Sequence, residues 1–146
     1  MKIKILKKSE LTGTQYFEFM VGKHDGKSCR FEDSIYLQEG VISFFEGTIL
    51  GVDPTYDHFQ FNFLDHASTK LLKTRLENLR DSLEHTDNPE SLLRELAAGA
   101  DRAQVSESSL KDPAVVCDEL SIVAMQLADW VEDAEAKGRG ISILGM

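Results

Sequence analysis

The feature that most constrains this chain is an apolar stripe within residues 113–136. Val116, Leu120, Val123, Leu127, Trp130 and Ala134 fall at spacings of four, three, four, three and four. That alternation tracks the helical turn, so it lines six apolar side chains along one side of a long helix. Asp112 and Pro113 mark the start, because aspartate caps free backbone N–H groups and proline suits the first helical position. A helix with one apolar stripe must bury it against a second layer of structure.

Period-two patterns supply that layer. Phe59, Phe61 and Phe63 alternate with His58, Gln60 and Asn62, which predicts a strand over residues 56–63 with its phenylalanines facing the core. Residues 1–8 alternate too, Ile3 and Ile5 against Lys2 and Lys4, and predict a first strand. Residues 15–21 hold Tyr16, Phe17, Phe19 and Val21 and predict a second, after a turn at Gly13. Asp25-Gly26 is a hairpin signal, so residues 28–31 complete an expected meander. Residues 137–140 break the long helix, and residues 141–144 read as a terminal strand that rejoins the sheet.

Further helices are signalled by their caps. Asp65 or Ser68 opens one that runs to about His85, with Leu72, Leu76, Leu79 and Leu83 inward. Asn88-Pro89 opens a short one through about Ala98, with Leu92, Leu93 and Leu96 inward. Residues 34–52 admit two readings. Leu37, Val41, Phe45, Ile49 and Val52 share one helical face, broadened by Ile42 and Phe44, with Asp33 or Ser34 as cap and Pro54 as the stop. Against helix, Gly40 and Gly47 each cost about 1 kcal/mol relative to alanine. The Val41-Ile42 pair and the alternation over residues 34–37 also suit strands. The expectation is helix. Polar, small residues 99–111 read as a loop too short to separate two cores.

The sum is an α+β fold: a mainly antiparallel sheet of four to five strands packed by three to four helices. All 146 residues are expected in one domain. Phe59, Phe61, Phe63, Leu72, Leu76, Leu79, Val116, Leu120, Val123 and Leu127 are the predicted core.

Charge narrows the function. Twenty-five acids against 16 bases leave a net charge of −9. That argues against nucleic-acid binding, which needs a basic surface, and against docking on anionic membrane. A basic protein partner suits it, and so does plain solubility. The basic N-terminus alternates too closely for a signal peptide, and no apolar run has the length of a membrane span. Cys29 and Cys117 lie 88 residues apart outside any metal-like spacing and read as ordinary thiols of a reducing compartment. A cytoplasmic protein is expected.

Catalytic motifs are missing. The sequence has no GxGxxG, Walker loop, GxSxG elbow or HExxH. Its histidines, His24, His58, His66 and His85, lack helical metal spacing, and no cofactor or metal is expected. Asp53, Asp57, His58, Asp65 and His66 form the densest group of acid–base side chains. An enzymatic or ligand-binding reading makes His58 a base oriented by a carboxylate, in a concave pocket lined by Asp57 and His58. The plainer reading has the aspartates capping turns and His58 facing solvent. Cys117 sits beside the apolar stripe and reads as core.

Seven acids and no lysine or arginine occupy residues 112–135. Asp129, Glu132, Asp133 and Glu135 crowd the C-terminal turns, where the helix dipole favours cations; the cost is about 1 kcal/mol in total. These four are the candidate partner-binding residues. The alternative is that Lys137, Arg139 or the basic first strand neutralises them within the fold. Trp130 is expected to be buried.

Segment order adds a resemblance. A proline-terminated helix leads into Tyr56-Asp57-His58-Phe59, a strand and a leucine-rich helix. Later an acidic helix bearing Asp129-Trp130 precedes Gly140-Ile141-Ser142-Ile143-Leu144-Gly145. This arrangement resembles small immunity proteins of bacterial polymorphic-toxin systems and spans most of the chain. The resemblance implies a cytoplasmic protein that binds a cognate toxin and blocks it without catalysis, and the acidic helix suits a basic toxin. A small-ligand-binding or enzymatic domain using residues 53–66, and a homodimeric accessory protein, stand as alternatives.

Overall fold

The computed structural model describes residues 2–13, 15–27, 31–97 and 112–145. After a 3-10 turn at Lys8–Glu10 come β1 (Tyr16–Val21), β2 (Ile35–Gln38), α1 (Glu39–Ile42), α2 (Glu46–Val52) and β3 (Phe61–Leu64). Then follow α3 (His66–His85), α4 (Pro89–Leu96), α5 (Pro113–Ala136) and β4 (Ile141–Gly145). The four strands form one sheet in the order β2-β1-β4-β3, with every pairing antiparallel. The α+β expectation therefore holds. The described residues hold five helices rather than three or four, because the 39–52 region divides in two.

The caps act as local chemistry dictates. Asp65 accepts from Ser68 N at 2.8 Å, Asn88 from Ser91 N at 3.1 Å and Asp112 from Ala114 N at 2.9 Å. Each satisfies an N–H with no partner inside its helix. Helices α3 and α5 pack along each other through their predicted stripes. Leu72, Leu76 and Leu83 meet Val116, Leu120, Val123 and Leu127 in one buried cluster, joined by Phe17, Phe19, Ile141 and Ile143 from the sheet. Trp130 is half-buried and meets Phe19 edge-on, with ring centroids 6.3 Å apart.

The terminal strand returns to the sheet as expected, and it lies in its interior between β1 and β3. Gly140 makes that entry possible. Its φ is +75°, and a Cβ there would lie 2.4 Å from the Leu64 carbonyl oxygen. Only glycine fits both the backbone conformation and the approach.

Four expectations are corrected. Residues 2–8 form no strand: Leu6 makes one isolated bridge to Tyr36, after which Glu10 caps Lys7 N at 3.0 Å and turns the chain. The predicted third strand at residues 28–31 falls mostly outside the described residues. Phe31 lies in no strand, and the strands that pair with β1 are β2 and β4. The 34–52 segment is neither one helix nor strands throughout. It starts as β2, turns helical at Glu39, and breaks at residues 43–45, where Ser43 Oγ donates to Gly40 O at 2.7 Å.

The fourth correction inverts a face. Strand pairing starts only at Phe61, and Phe59 is 87% exposed and Phe61 59%. Phe63 is also exposed, while Asn62 and Leu64 are buried. Register explains it. Asn62 pairs with Ile143 and Leu64 with Ile141, the two β4 residues that face the helices. Phe61 and Phe63 therefore point to the opposite side, where His24 packs edge-on against Phe61 at 4.9 Å.

Candidate functional site

The break between α1 and α2 shapes the site. Val41, Ile42, Phe44, Phe45 and Ile49 all turn inward. Glu39 and Glu46, which begin the two helices, are left on the polar side. A tight turn then brings the chain back. Asp53 Oδ1 accepts from Thr55 N at 2.9 Å and Thr55 Oγ1 at 2.6 Å, and Tyr56 N donates to Asp53 O. The following loop is held by Asn62. Its Oδ1 accepts from Asp57 N at 2.9 Å, and its Nδ2 donates to Asp57 O and Gln60 O. This satisfied amide explains how an asparagine comes to face the core. Gly145 closes the arrangement, since a Cβ there would come within 2.9 Å of His58 O.

The result is a carboxylate–imidazole cluster. His58 Nδ1 lies 2.8 Å from Glu46 Oε2 and 2.9 Å from Oε1, and its Nε2 lies 3.4 Å from Glu39 Oε1. Tyr56 donates its hydroxyl to Glu46 Oε2 at 2.8 Å. The imidazole packs on Phe17 and Phe59, each ring centroid 4.8 Å away. Burial pulls the His58 pKa down, but the hydrogen bonds and charges of Glu46 and Glu39 outweigh it and hold the pKa above the ordinary value. With a carboxylate at each nitrogen, the site favours the imidazolium, in which both nitrogens donate. Burial, then the Glu46 charge, pushes the Tyr56 phenol far above its usual range, so it remains a neutral donor.

These groups line a cleft of about 320 Å³ that also takes in Leu50, Glu95 and Leu96. Its glutamates come from three helices, α1, α2 and α4, and no lysine or arginine is among the described residues that line it. Phe59 stands almost fully exposed on the rim, and Leu50 is 43% exposed. The cleft can hold a cation by charge and hydrogen bonding while offering apolar surface to whatever carries it.

Of the acid–base group picked out from sequence, only His58 reaches this cleft. Asp53 and Asp65 cap turns, and Asp57 Oδ1 accepts from Phe59 N at 2.9 Å. His66 Nε2 instead lies 3.3 Å from Glu135 Oε1. The pocket lined by Asp57 and His58 is thus corrected to one lined by His58 and three glutamates. Sequence reasoning missed Glu39, Glu46 and Glu95. No local signal marks them, since their approach depends on the break at residues 43–45 and on contacts distant in sequence.

The acidic end of α5 is partly neutralised, and from α3 rather than from the expected bases. Lys73 Nζ lies 3.3 Å from Glu132 Oε1, and His66 Nε2 lies within 3.3 Å of Glu135 Oε1. Asp129 and Asp133 are exposed. Cys117 is buried, and burial, then Asp118, pushes its thiol pKa up, which disfavours the thiolate. Cys29 lies outside the described residues. Among the described residues, no three His, Cys, Asp or Glu side chains are grouped to hold a metal ion, and no helix is long and apolar enough to cross a membrane. No family model, curated protein or solved structure matches this chain.

Proposed function

We propose that this chain is a stoichiometric protein-binding inhibitor whose target is a basic protein, the role implied by its resemblance to immunity proteins of polymorphic-toxin systems. One observation carries the reading: three glutamates line one cleft, with no lysine or arginine among the described residues that line it, beside an exposed Phe59. An aromatic anchor next to a concentrated charge is how protein interfaces focus their energy. The acidic turns of α5 add a second negative surface. Leu64, two residues before His66, pairs with Ile141 at the start of β4, while Gly145 at its end lies against His58 of the cleft. Two like-charged patches steer a basic partner and raise its encounter rate.

The test is capture of the partner by the tagged protein from its host's lysate, at low and high salt, followed by mass measurement of the purified complex. The reading expects one basic protein, bound at low salt, released at high salt, in a fixed ratio. Absence of any partner at either salt contradicts it. The same mass measurement on the protein alone distinguishes a homodimer from the 16.4 kDa monomer.

A second reading has its own observation. Glu46 orients the His58 imidazole inside a cleft, as a carboxylate orients a general base. Glu39 stands at the other nitrogen, which a base needs free. That arrangement favours holding a small cation over proton transfer. This reading gains if the pure protein is monomeric and captures nothing.

A further inference from the structure

We infer that the cleft receives a single arginine side chain presented by the partner, and that His58 occupies Glu39 until the arginine takes it over. The inference rests on the protein-binding reading and names what that site recognises.

Size comes first. About 320 Å³ is at the lower end of small-ligand clefts, room for a side chain but not for a helix or strand. Chemistry comes next. Glutamates from α1, α2 and α4 line one space, and a guanidinium offers five donors in a planar fork that matches carboxylates two at a time. Leu50 and Leu96 can cover the aliphatic stem. Phe59 can stack on the guanidinium plane.

His58 is the internal competitor. Its contact to Glu46 is 2.8 Å, but that to Glu39 is 3.4 Å, so Glu39 is the carboxylate an incoming cation frees with least loss. Arginine then bridges Glu39 and Glu95 while His58 stays on Glu46. The imidazolium charge opposes entry, and its deprotonation removes that opposition. Among the described residues, the charged and titratable groups facing the cleft are Glu39 from α1, Glu46 from α2, Glu95 from α4, and Tyr56 and His58 from the turn before β3. From β1 the contact is the uncharged ring of Phe17. Affinity should therefore rise with pH through the His58 titration, by at most about tenfold per pH unit, the limit for one proton released per arginine bound. Arginine stays charged throughout that window.

The experiment titrates acetyl-Leu-Arg-Leu-amide into the full chain at low salt and follows the His58 ring by NMR, with the citrulline peptide as its uncharged isostere. The arginine peptide should shift the His58 ring resonances and the citrulline peptide should not. Affinity should climb with pH in the wild type, and E95Q and E39Q should each weaken it about threefold to fivefold. Glu95 is exposed, so E95Q keeps the fold. The inference is overturned if citrulline binds as well as arginine, if affinity is flat with pH, or if His58 is unmoved at about 10 mM peptide. A partner protein that binds wild type and E39Q/E95Q alike, with no arginine peptide at His58, sinks this inference and leaves the protein-binding reading standing. Peptide binding without any protein partner does the reverse.

Discussion

His58 and Glu46 are joined by a doubly shared contact, Nδ1 lying 2.8 and 2.9 Å from the two carboxylate oxygens. The partners come from α2 and from the loop before β3, 12 residues apart. The contact therefore ties that loop to α2 and fixes the mouth of the cleft.

Its pH dependence has a definite sign. Folding raises the His58 pKa, so the contact's stabilisation is complete below the unfolded imidazole's value of about 6.5 and is lost as pH rises through the folded value. Glu46→Gln should destabilise more at about pH 5.5 than at about pH 8.5. Urea unfolding of both proteins at the two pH values checks it. An equal loss at both would mean that Glu46 supports the fold by other means.

Tyr56→Phe removes the neutral donor on the same carboxylate. Tyr56 is buried and its hydroxyl bonds Glu46 at 2.8 Å. The expected cost is about 1.5 kcal/mol, the usual worth of a hydrogen bond to a charged group. The His58 titration, read by NMR, should also move, because its partner loses a competing donor.

The exposed phenylalanines in and before β3 predict a contrast. Phe59→Ser should change stability by no more than about 0.5 kcal/mol, as for any exposed site. Leu76→Ala, deep between α3 and α5, should cost about 2–5 kcal/mol. Chemical denaturation of the two variants decides whether the phenylalanines face out.

Gly140→Ala should be severe for so small a change. The added methyl meets the Leu64 carbonyl at 2.4 Å in a backbone conformation that L-residues disfavour. A loss of about 3 kcal/mol or more is expected, from strain together with the clash. Equilibrium unfolding measures it.

These features differ in how far the sequence disclosed them. Asp65, Asn88 and Asp112 were legible because a cap is local: the donor lies two or three residues from the acceptor. The stripes of α3 and α5 were legible because helical periodicity is local too. The phenylalanines misled because a period of two says which residues share a face, not which face is buried. Pairing of Asn62 with Ile143, 81 residues away, made that choice. The Glu46 contact was hidden for the same reason. It depends on a chain reversal through Asp53 and on β4 closing over the loop at Gly145, neither of which leaves a repeat in the sequence.

The acidic helix end was legible as composition but not as environment. Lys73 and His66 lie far from it in sequence, and they engage Glu132 and Glu135. Charge reversal of the exposed Asp129 and Asp133 should leave the fold intact and slow association with the partner more than it speeds release. Stopped-flow association at two salt concentrations reads this. A change confined to the release rate would place these residues inside the contact rather than beside it.

The most direct test of the central claim compares wild-type bait with an E39K/E95K bait in partner capture at low salt. The account predicts that the wild type retains a basic protein, that the reversed cleft loses it, and that the circular dichroism spectra of the two baits agree. Equal capture by both folded baits would contradict an acidic cleft as the binding site.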